Sequence, residues 1–152
     1  MTRLLLRLHV IAVLIVSGAA PARACKEPKD EWLFQHASTV FVARVLRTEE
    51  TWGIPPIVDR PEPIVEGTFR LIELLKGQPP KDNKIRISAS LPCLTKLEAA
   101  MDYLFFLSDD HNFVMPNRGS GSLGKPFEGD IFHEENIRLR LDKLRVLANG
   151  SK

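Results

Sequence analysis

Residues 39–45 constrain the fold of this chain more than any other segment. They are mostly β-branched or aromatic, which is the composition of a β-strand. Successive residues of a strand point to opposite faces of its sheet, and here the side chains are apolar at both odd and even positions. We therefore expect a strand over residues 38–47 that is covered by other parts of the protein on both sides.

Four more strands are predicted, at residues 68–75, 85–89, 103–107 and 113–115, the last after a turn at 109–112. In the second strand the apolar positions change face between Leu71 and Ile72, and this change predicts a β-bulge. The sequence therefore indicates a mainly β domain of five strands.

A long loop is predicted between the first two strands, at residues 49–65. It contains Trp52 and four prolines, and proline has no N–H to donate to a sheet. An exposed tryptophan on a loop is a frequent contact residue in protein interfaces, but Trp52 can also fold back onto the sheet. Both alternatives are open at this point.

Two helices flank the strands. Residues 30–36 place Trp32 or Leu33, together with Phe34, among charges, as a short amphipathic helix does. A longer helix is expected from Asp130, a good N-cap, to Gly150, with one apolar stripe. The stripe consists of Ile137, Leu141, Leu144 and Ala148. Packing against the sheet is favoured, and binding at a membrane surface, suggested by four basic residues, is the alternative.

The first 24 residues have the layout of a cleaved secretory signal. Arg3 and Arg7 precede a short apolar run, and an Ala-Arg-Ala triplet ends at Ala24. Cleavage there leaves one domain, residues 25–152, which begins at Cys25 and is secreted or periplasmic. Membrane attachment is expected only in the alternative case, in which Cys25 is lipidated.

The charge of the mature segment argues against a nucleic-acid partner. Residues 1–24 contain three of the 21 basic residues and none of the 19 acidic ones, so the remainder has a formal net charge of −1. Nucleic-acid-binding domains usually carry a clear excess of basic residues.

Cys25 and Cys93 are the two cysteines of the chain, and both remain after cleavage. Export to an oxidising compartment favours a disulfide between them. A free thiol at a lipidated terminus and an intermolecular disulfide are the alternatives. The sequence has no Cys-x-x-Cys motif, so a thiol oxidoreductase is disfavoured.

No pattern in the sequence indicates an enzyme, a cofactor or a metal of the protein's own. Residues 119–124 formally match the dinucleotide motif G-x-G-x-x-G, but no βαβ unit surrounds them, and we expect a flexible turn there. His133 and Glu134 begin like the zinc motif H-E-x-x-H, but Ile137 stands where its second histidine is needed. No serine or cysteine has an evident catalytic base.

Taken in order along the chain, these features resemble the netrin-like domains, which include the N-terminal domain of the tissue inhibitors of metalloproteinases and their bacterial relatives. The matching parts are Cys25, the strings FQHASTVFVARVLR, GTFRLIELLKG and SLPCLTKLEAAMDYLFFL, and a Gly/Ser turn after the last strand. The resemblance implies a five-stranded closed barrel of the oligonucleotide-binding (OB) type, with the short N-terminal helix and the longer C-terminal helix packed beside it.

The resemblance also implies a function. In those inhibitors the first cysteine chelates the catalytic zinc of the target protease through its α-amino group and carbonyl oxygen. By resemblance Cys25 is that chelator and Lys26 enters the specificity pocket of the protease. The expected protease-binding surface is Cys25, Lys26, Glu27, Trp52 and Leu94. The alternative is a non-inhibitory structural or interaction module of the periplasm or cell envelope.

The sequence departs from the family pattern at its start. The family commonly has Cys-x-Cys there, with the second cysteine bridged to one just after the last barrel strand. Glu27 and residues 116–119 occupy those two places in this chain, so both bridge partners are absent together. We hypothesise that Glu27 and Arg118 form an ion pair in place of that bridge.

Overall fold

The computed structural model describes residues 28–55, 59–90, 96–108, 113–114, 121–123 and 131–150. In chain order the elements are helix α1 (Asp30–His36), strands β1 (Thr39–Gly53), β2 (Glu62–Lys76), β3 (Lys84–Ser88), β4 (Asp102–Leu107), β5 (Phe113–Val114) and β6 (Gly121–Ser122), and helix α2 (Ile131–Gly150). The strands form one sheet in the order β5-β3-β2-β1-β4-β6. The protein is therefore mainly β, as predicted, with two helices.

Strand β1 is covered on both faces, which confirms the first prediction from the sequence. Phe41, Ala43 and Val45 point into one cluster of buried side chains, here called the inner core. Val40 and Val42 point into a second cluster on the opposite face, the outer core. Each fully buried Val or Phe side chain contributes about 1.5–3 kcal/mol to folding.

The inner core draws side chains from five strands and from one connecting segment. Besides those of β1 it contains Phe69, Ile85, Ile87, Leu97, Tyr103, Phe105, Leu107 and Val114. The outer core lies between the sheet and the helices. Its other members are Leu33, Phe34, Ala37, Leu75, Leu104, Phe106, Leu123 and Leu144.

The β-bulge predicted in the second strand is confirmed. The register between β1 and β2 shifts at three places, and each shift leaves one residue without a partner across the pair. These residues are Leu46 on β1 and Ile72 and Leu75 on β2. Because each extra residue reverses the alternation, Phe69 joins the inner core while Leu75 joins the outer core.

The prediction of a loop over residues 49–65 is wrong. β1 continues to Gly53 and β2 begins at Glu62, so most of this segment is a β-hairpin. Pro63 lies near the start of β2, where a missing N–H costs the sheet little. Its carbonyl oxygen still accepts a hydrogen bond from the Ala89 N–H at 3.0 Å. The prolines therefore mark the ends of strands here, not the extent of a loop.

Part of the predicted Gly/Ser turn at residues 119–124 is also a strand. Gly121 and Ser122 pair with Leu104 and Tyr103 of β4. A sheet ladder is made by backbone groups, so small residues can extend it without β-forming side chains. In the described part of the chain β5 and β6 are the two ends of the sheet, and no ladder joins them.

Helix α2 packs against the sheet, so the membrane-surface alternative is wrong for its apolar stripe. Leu144 is fully buried in the outer core, and Ile137, Leu141 and Ala148 pack against that core. Neither described helix combines the length and the apolar character needed to cross a bilayer. The expected N-cap Asp130 lies outside the described residues.

Ion pairs fix the position of α2 over the outer core. Arg140 donates two hydrogen bonds to the Asp30 carboxylate of α1, both at 2.8 Å. Arg145 binds the Glu73 carboxylate of β2 in the same two-point manner, at 2.8 and 2.7 Å. These pairs connect α2 to α1 and to β2.

Candidate functional site

A cleft of about 600 Å³ lies on the inner face of the sheet, beyond the inner core. It is lined by four separate parts of the chain. These are Thr48, Glu49 and Glu50 of β1; Val65 of β2; Ile87, Ser88 and Ala89 of β3 and the turn after it; and Lys96, Leu97 and Glu98 from the segment before β4. The volume is in the range of small-molecule and peptide sites.

The hairpin formed by β1 and β2 extends the cleft on one side. Glu50 pairs with Val65, and Val65 pairs in turn with Ile87, so these three side chains share the inner face. Trp52 lies two residues beyond Glu50 on a regular stretch of strand and therefore points to the same side. It is 72% exposed, which places a large apolar surface in line with the cleft.

The segment Lys96–Glu98 forms the opposite wall, and Tyr103 holds it in place. The Tyr103 hydroxyl donates to the Lys96 carbonyl oxygen at 2.8 Å and accepts from the Glu98 N–H at 2.7 Å. Leu97, between these two residues, is buried in the inner core. It lies so close to Gly67 of β2 that a Cβ at position 67 would overlap it.

Hydrogen bonds also hold residues 88–90, where the chain leaves β3. Ser88 is buried, and its hydroxyl donates to the Glu62 carboxylate. The same hydroxyl accepts from the Ser90 N–H at 3.2 Å, while the Ala89 N–H binds the Pro63 carbonyl. The structure therefore fixes both flanks of segment 91–95, and both flanks line the cleft.

The cleft combines an apolar floor with an acidic rim. Val65, Ile87 and Leu97 form the floor, and Glu50 and Glu98 bring two carboxylates, while the Glu49 side chain points to the other face of β1. Lys96 is the one cation among the lining residues that the structure describes. Burial, together with the nearby Glu98 carboxylate, raises the pKa of the Tyr103 hydroxyl, so it stays protonated as a donor.

The carboxylates at the rim are largely free of counterions. Glu49 lies 3.5 Å from Arg47, and both of these side chains are well exposed. No ion pair reaches Glu50 or Glu98 from the residues that the structure describes. Within the same residues no three His, Cys, Asp or Glu side chains lie close enough to hold a metal ion. Glu50 and Glu98 are thus carboxylates without an ion-pair partner among the described residues, and Lys96 is a cation in the same lining.

Most of the predicted site residues lie outside the described part of the chain. These are Cys25, Lys26, Glu27, Cys93 and Leu94, and with them the proposed Glu27–Arg118 ion pair and the signal segment. Trp52 is described. It does not fold back onto the described residues, since it is largely exposed at the end of the hairpin.

Sequence reasoning missed the cleft carboxylates and the tyrosine that holds its wall. Thr48, Glu50 and Trp52 alternate as residues of one strand face do, and this alternation was hidden by the prolines that follow. Nothing local in the sequence indicates that Tyr103 binds residues 96 and 98, because that contact depends on how the segment turns back.

The structure is a β-rich domain with one six-stranded sheet and a cleft on its inner face. No protein-family model and no curated protein sequence matches this chain.

Proposed function

We propose that this protein is an exported protein-binding module whose contact surface is the cleft together with the hairpin end that carries Trp52. The observation that carries the proposal is the exposed Trp52 side chain in line with an unfilled cleft. Large aromatic side chains dominate the binding energy of many interfaces. A tryptophan that were only structural would be expected to pack onto its own domain.

We further propose that the surface inhibits a zinc metalloprotease through Cys25, as its resemblance to the tissue inhibitors implies. A disulfide between Cys25 and Cys93 would bring the mature N-terminus to segment 91–95, whose two flanks line the cleft. A free α-amino group and carbonyl there can fill the open position of a catalytic zinc. The amine binds zinc only when deprotonated, so inhibition strengthens as the pH rises toward about 8.

The test of the inhibitory mechanism is a pair of exported proteins, one starting at Cys25 and one with an extra alanine before it. Intact mass and N-terminal sequencing first establish the termini, and a gain of about 2 Da on reduction establishes the disulfide. Only the first protein should inhibit members of a zinc metalloprotease panel. Equal inhibition by both would show that inhibition does not use the Cys25 amine, and inhibition by neither would leave the non-inhibitory interaction module.

Trp52→Ala tests the contact surface itself. Loss of a central interface tryptophan costs about 2 kcal/mol or more, so partner affinity should fall roughly 30-fold. Val146→Ala is the matched control, because Val146 is 71% exposed and lies on α2, away from the cleft lining. Equal affinities of the two variants would contradict the proposed surface.

We also propose that the sheet closes into the OB-type barrel through β4 and β5. Support comes from their proximity, with Cα atoms within 8 Å, and from Val114, which packs in the inner core with Phe105 and Leu107. Closure would complete the ring β1-β2-β3-β5-β4. Cross-strand nuclear Overhauser effects between Hα atoms of β4 and β5 are expected, and their absence would show that the barrel stays open.

A further inference from the structure

We propose that the cleft binds a basic, extended segment of a separate partner protein and takes an arginine or lysine side chain into its interior. This inference rests on the proposed protein-binding function and names the chemistry of the partner. It stands on three properties of the cleft: its apolar floor, its acidic rim and the aromatic side chain in line with it.

The floor and the rim together fit a long cationic side chain better than other ligands. Val65, Ile87 and Leu97 offer apolar surface to an aliphatic stem. Glu50 and Glu98 offer carboxylates to the charged head of such a side chain. An acidic segment would be repelled, and a purely apolar one would bury the carboxylates without a partner, which is costly.

A metal ion is a poorer candidate for the same carboxylates. No group of three ligand side chains converges in the described part of the chain, and the floor supplies no oxygen ligands. A guanidinium or ammonium group needs no such convergence, because each carboxylate can bind it separately.

Trp52 explains why the partner should be extended. It lies one strand repeat beyond Glu50, about 6.6 Å along β1. An extended segment presents alternate side chains at the same spacing, so one basic residue can enter the cleft while the next on that face packs on Trp52. A second basic residue there would gain a cation–π contact.

The experiment is a positional-scanning library of extended peptides, together with overlapping peptides of this chain, bound to the mature protein. Arginine or lysine should be enriched at one position or more. The double variant Glu50→Gln/Glu98→Gln should weaken the best basic peptide at least tenfold. Glu135→Gln is the control, because Glu135 is an exposed carboxylate on α2, outside the cleft lining. Circular dichroism checks that every variant is folded.

The possible failures are distinguishable. An enriched motif that depends on Trp52 but is not basic, or that ignores the two glutamates, overturns this inference and leaves the proposed function standing. Binding that Trp52→Ala does not change, or no enrichment at all, overturns both. Enrichment confined to peptides of this chain would make the occupant a second copy and contradict a separate partner.

Discussion

Tyr103 holds the Lys96–Glu98 wall of the cleft in place through its hydroxyl group. Tyr103→Phe removes both of its hydrogen bonds and leaves the Lys96 carbonyl and the Glu98 N–H without this partner. We expect the free energy of unfolding in urea to fall by about 1–3 kcal/mol. Because the wall also loosens, peptide affinity should fall even at temperatures where the variant is fully folded. Unchanged stability and binding would show that the wall is held by Leu97 alone.

The same residue allows a direct measurement of its pKa. The chain contains one tyrosine, so an absorbance titration reports Tyr103 alone. Burial raises its pKa above the ordinary value of 10.0, and we expect the midpoint of the folded protein above that of the urea-denatured protein. Because the folded pKa is raised, the free energy of unfolding should fall as the pH rises above 10.0, where the tyrosine of the unfolded chain loses its proton first. Coincident midpoints would contradict the burial of the hydroxyl.

Ala100 adopts a backbone conformation that favours glycine. Its φ is 64°, and its N–H is held by the Val45 carbonyl at 2.8 Å. Left-handed backbone costs an alanine roughly 1–2 kcal/mol, so Ala100→Gly should stabilise the protein by about 1 kcal/mol after the extra flexibility of glycine is subtracted. Ala99→Gly is the matched control. It lacks a positive φ and should be neutral or slightly destabilising in the same urea titration.

At the scale of elements, α2 covers the outer core, and the packing of this helix depends on its one apolar stripe. Leu144→Ala should cost about 2–5 kcal/mol, because Leu144 is fully buried and its removal leaves a cavity. Leu139→Ala on the same helix should change stability by less than about 0.5 kcal/mol, because Leu139 is 55% exposed. Thermal unfolding compares the two, and equal losses would mean that α2 does not pack through this stripe.

The helices and strands also show which features of the fold could be predicted from the sequence. The sequence predicted α1, β3 and β4 with nearly their observed bounds, because α1 and β3 each have a clear periodicity and β4 is a short continuous apolar run. The ends of β1 and β2 were misjudged, since prolines such as Pro63 can occupy a strand start. β6 was missed because its pairing needs only the backbone edge that β4 offers.

At the scale of the whole molecule, carboxylates tie strands and helix together and make stability dependent on pH. Hydrogen bonds from Lys84 and then Arg86 lower the pKa of Glu66, and a hydrogen bond from Arg145 lowers the pKa of Glu73. A carboxylate whose pKa is lower in the folded state than in the unfolded state stabilises the folded protein at pH values above 4.5, its unfolded pKa. This stabilisation is lost as the pH falls through the folded pKa.

We therefore expect the melting temperature to fall as the pH is lowered from neutral to below 4.5, the unfolded value. The two sites together account for roughly 1–2 kcal/mol of that loss, a modest figure because the side chains of the basic partners are 38–43% exposed and water screens the pairs. The double variant Glu66→Gln/Glu73→Gln should be less stable at neutral pH and should show a flatter pH dependence. An unchanged slope would mean that other carboxylates dominate acid unfolding.

The candidate site was only partly predictable. An exposed Trp52 was one of two alternatives for that residue, and its place on a strand next to Glu50 was not foreseen. The cleft was not foreseen either, because its four lining stretches are separate in sequence and meet only when β1, β2, β3 and the segment before β4 come together.

The sequence by itself determined a mainly β domain with a doubly covered β1, a bulged β2 and an amphipathic α2, because local periodicity records which faces are apolar. Only the tertiary structure decided where the strands end, that the Gly/Ser segment joins the sheet, and that Glu50 and Glu98 line one cleft. Those outcomes depend on backbone pairing and on contacts between distant segments, and neither leaves a local pattern in the sequence.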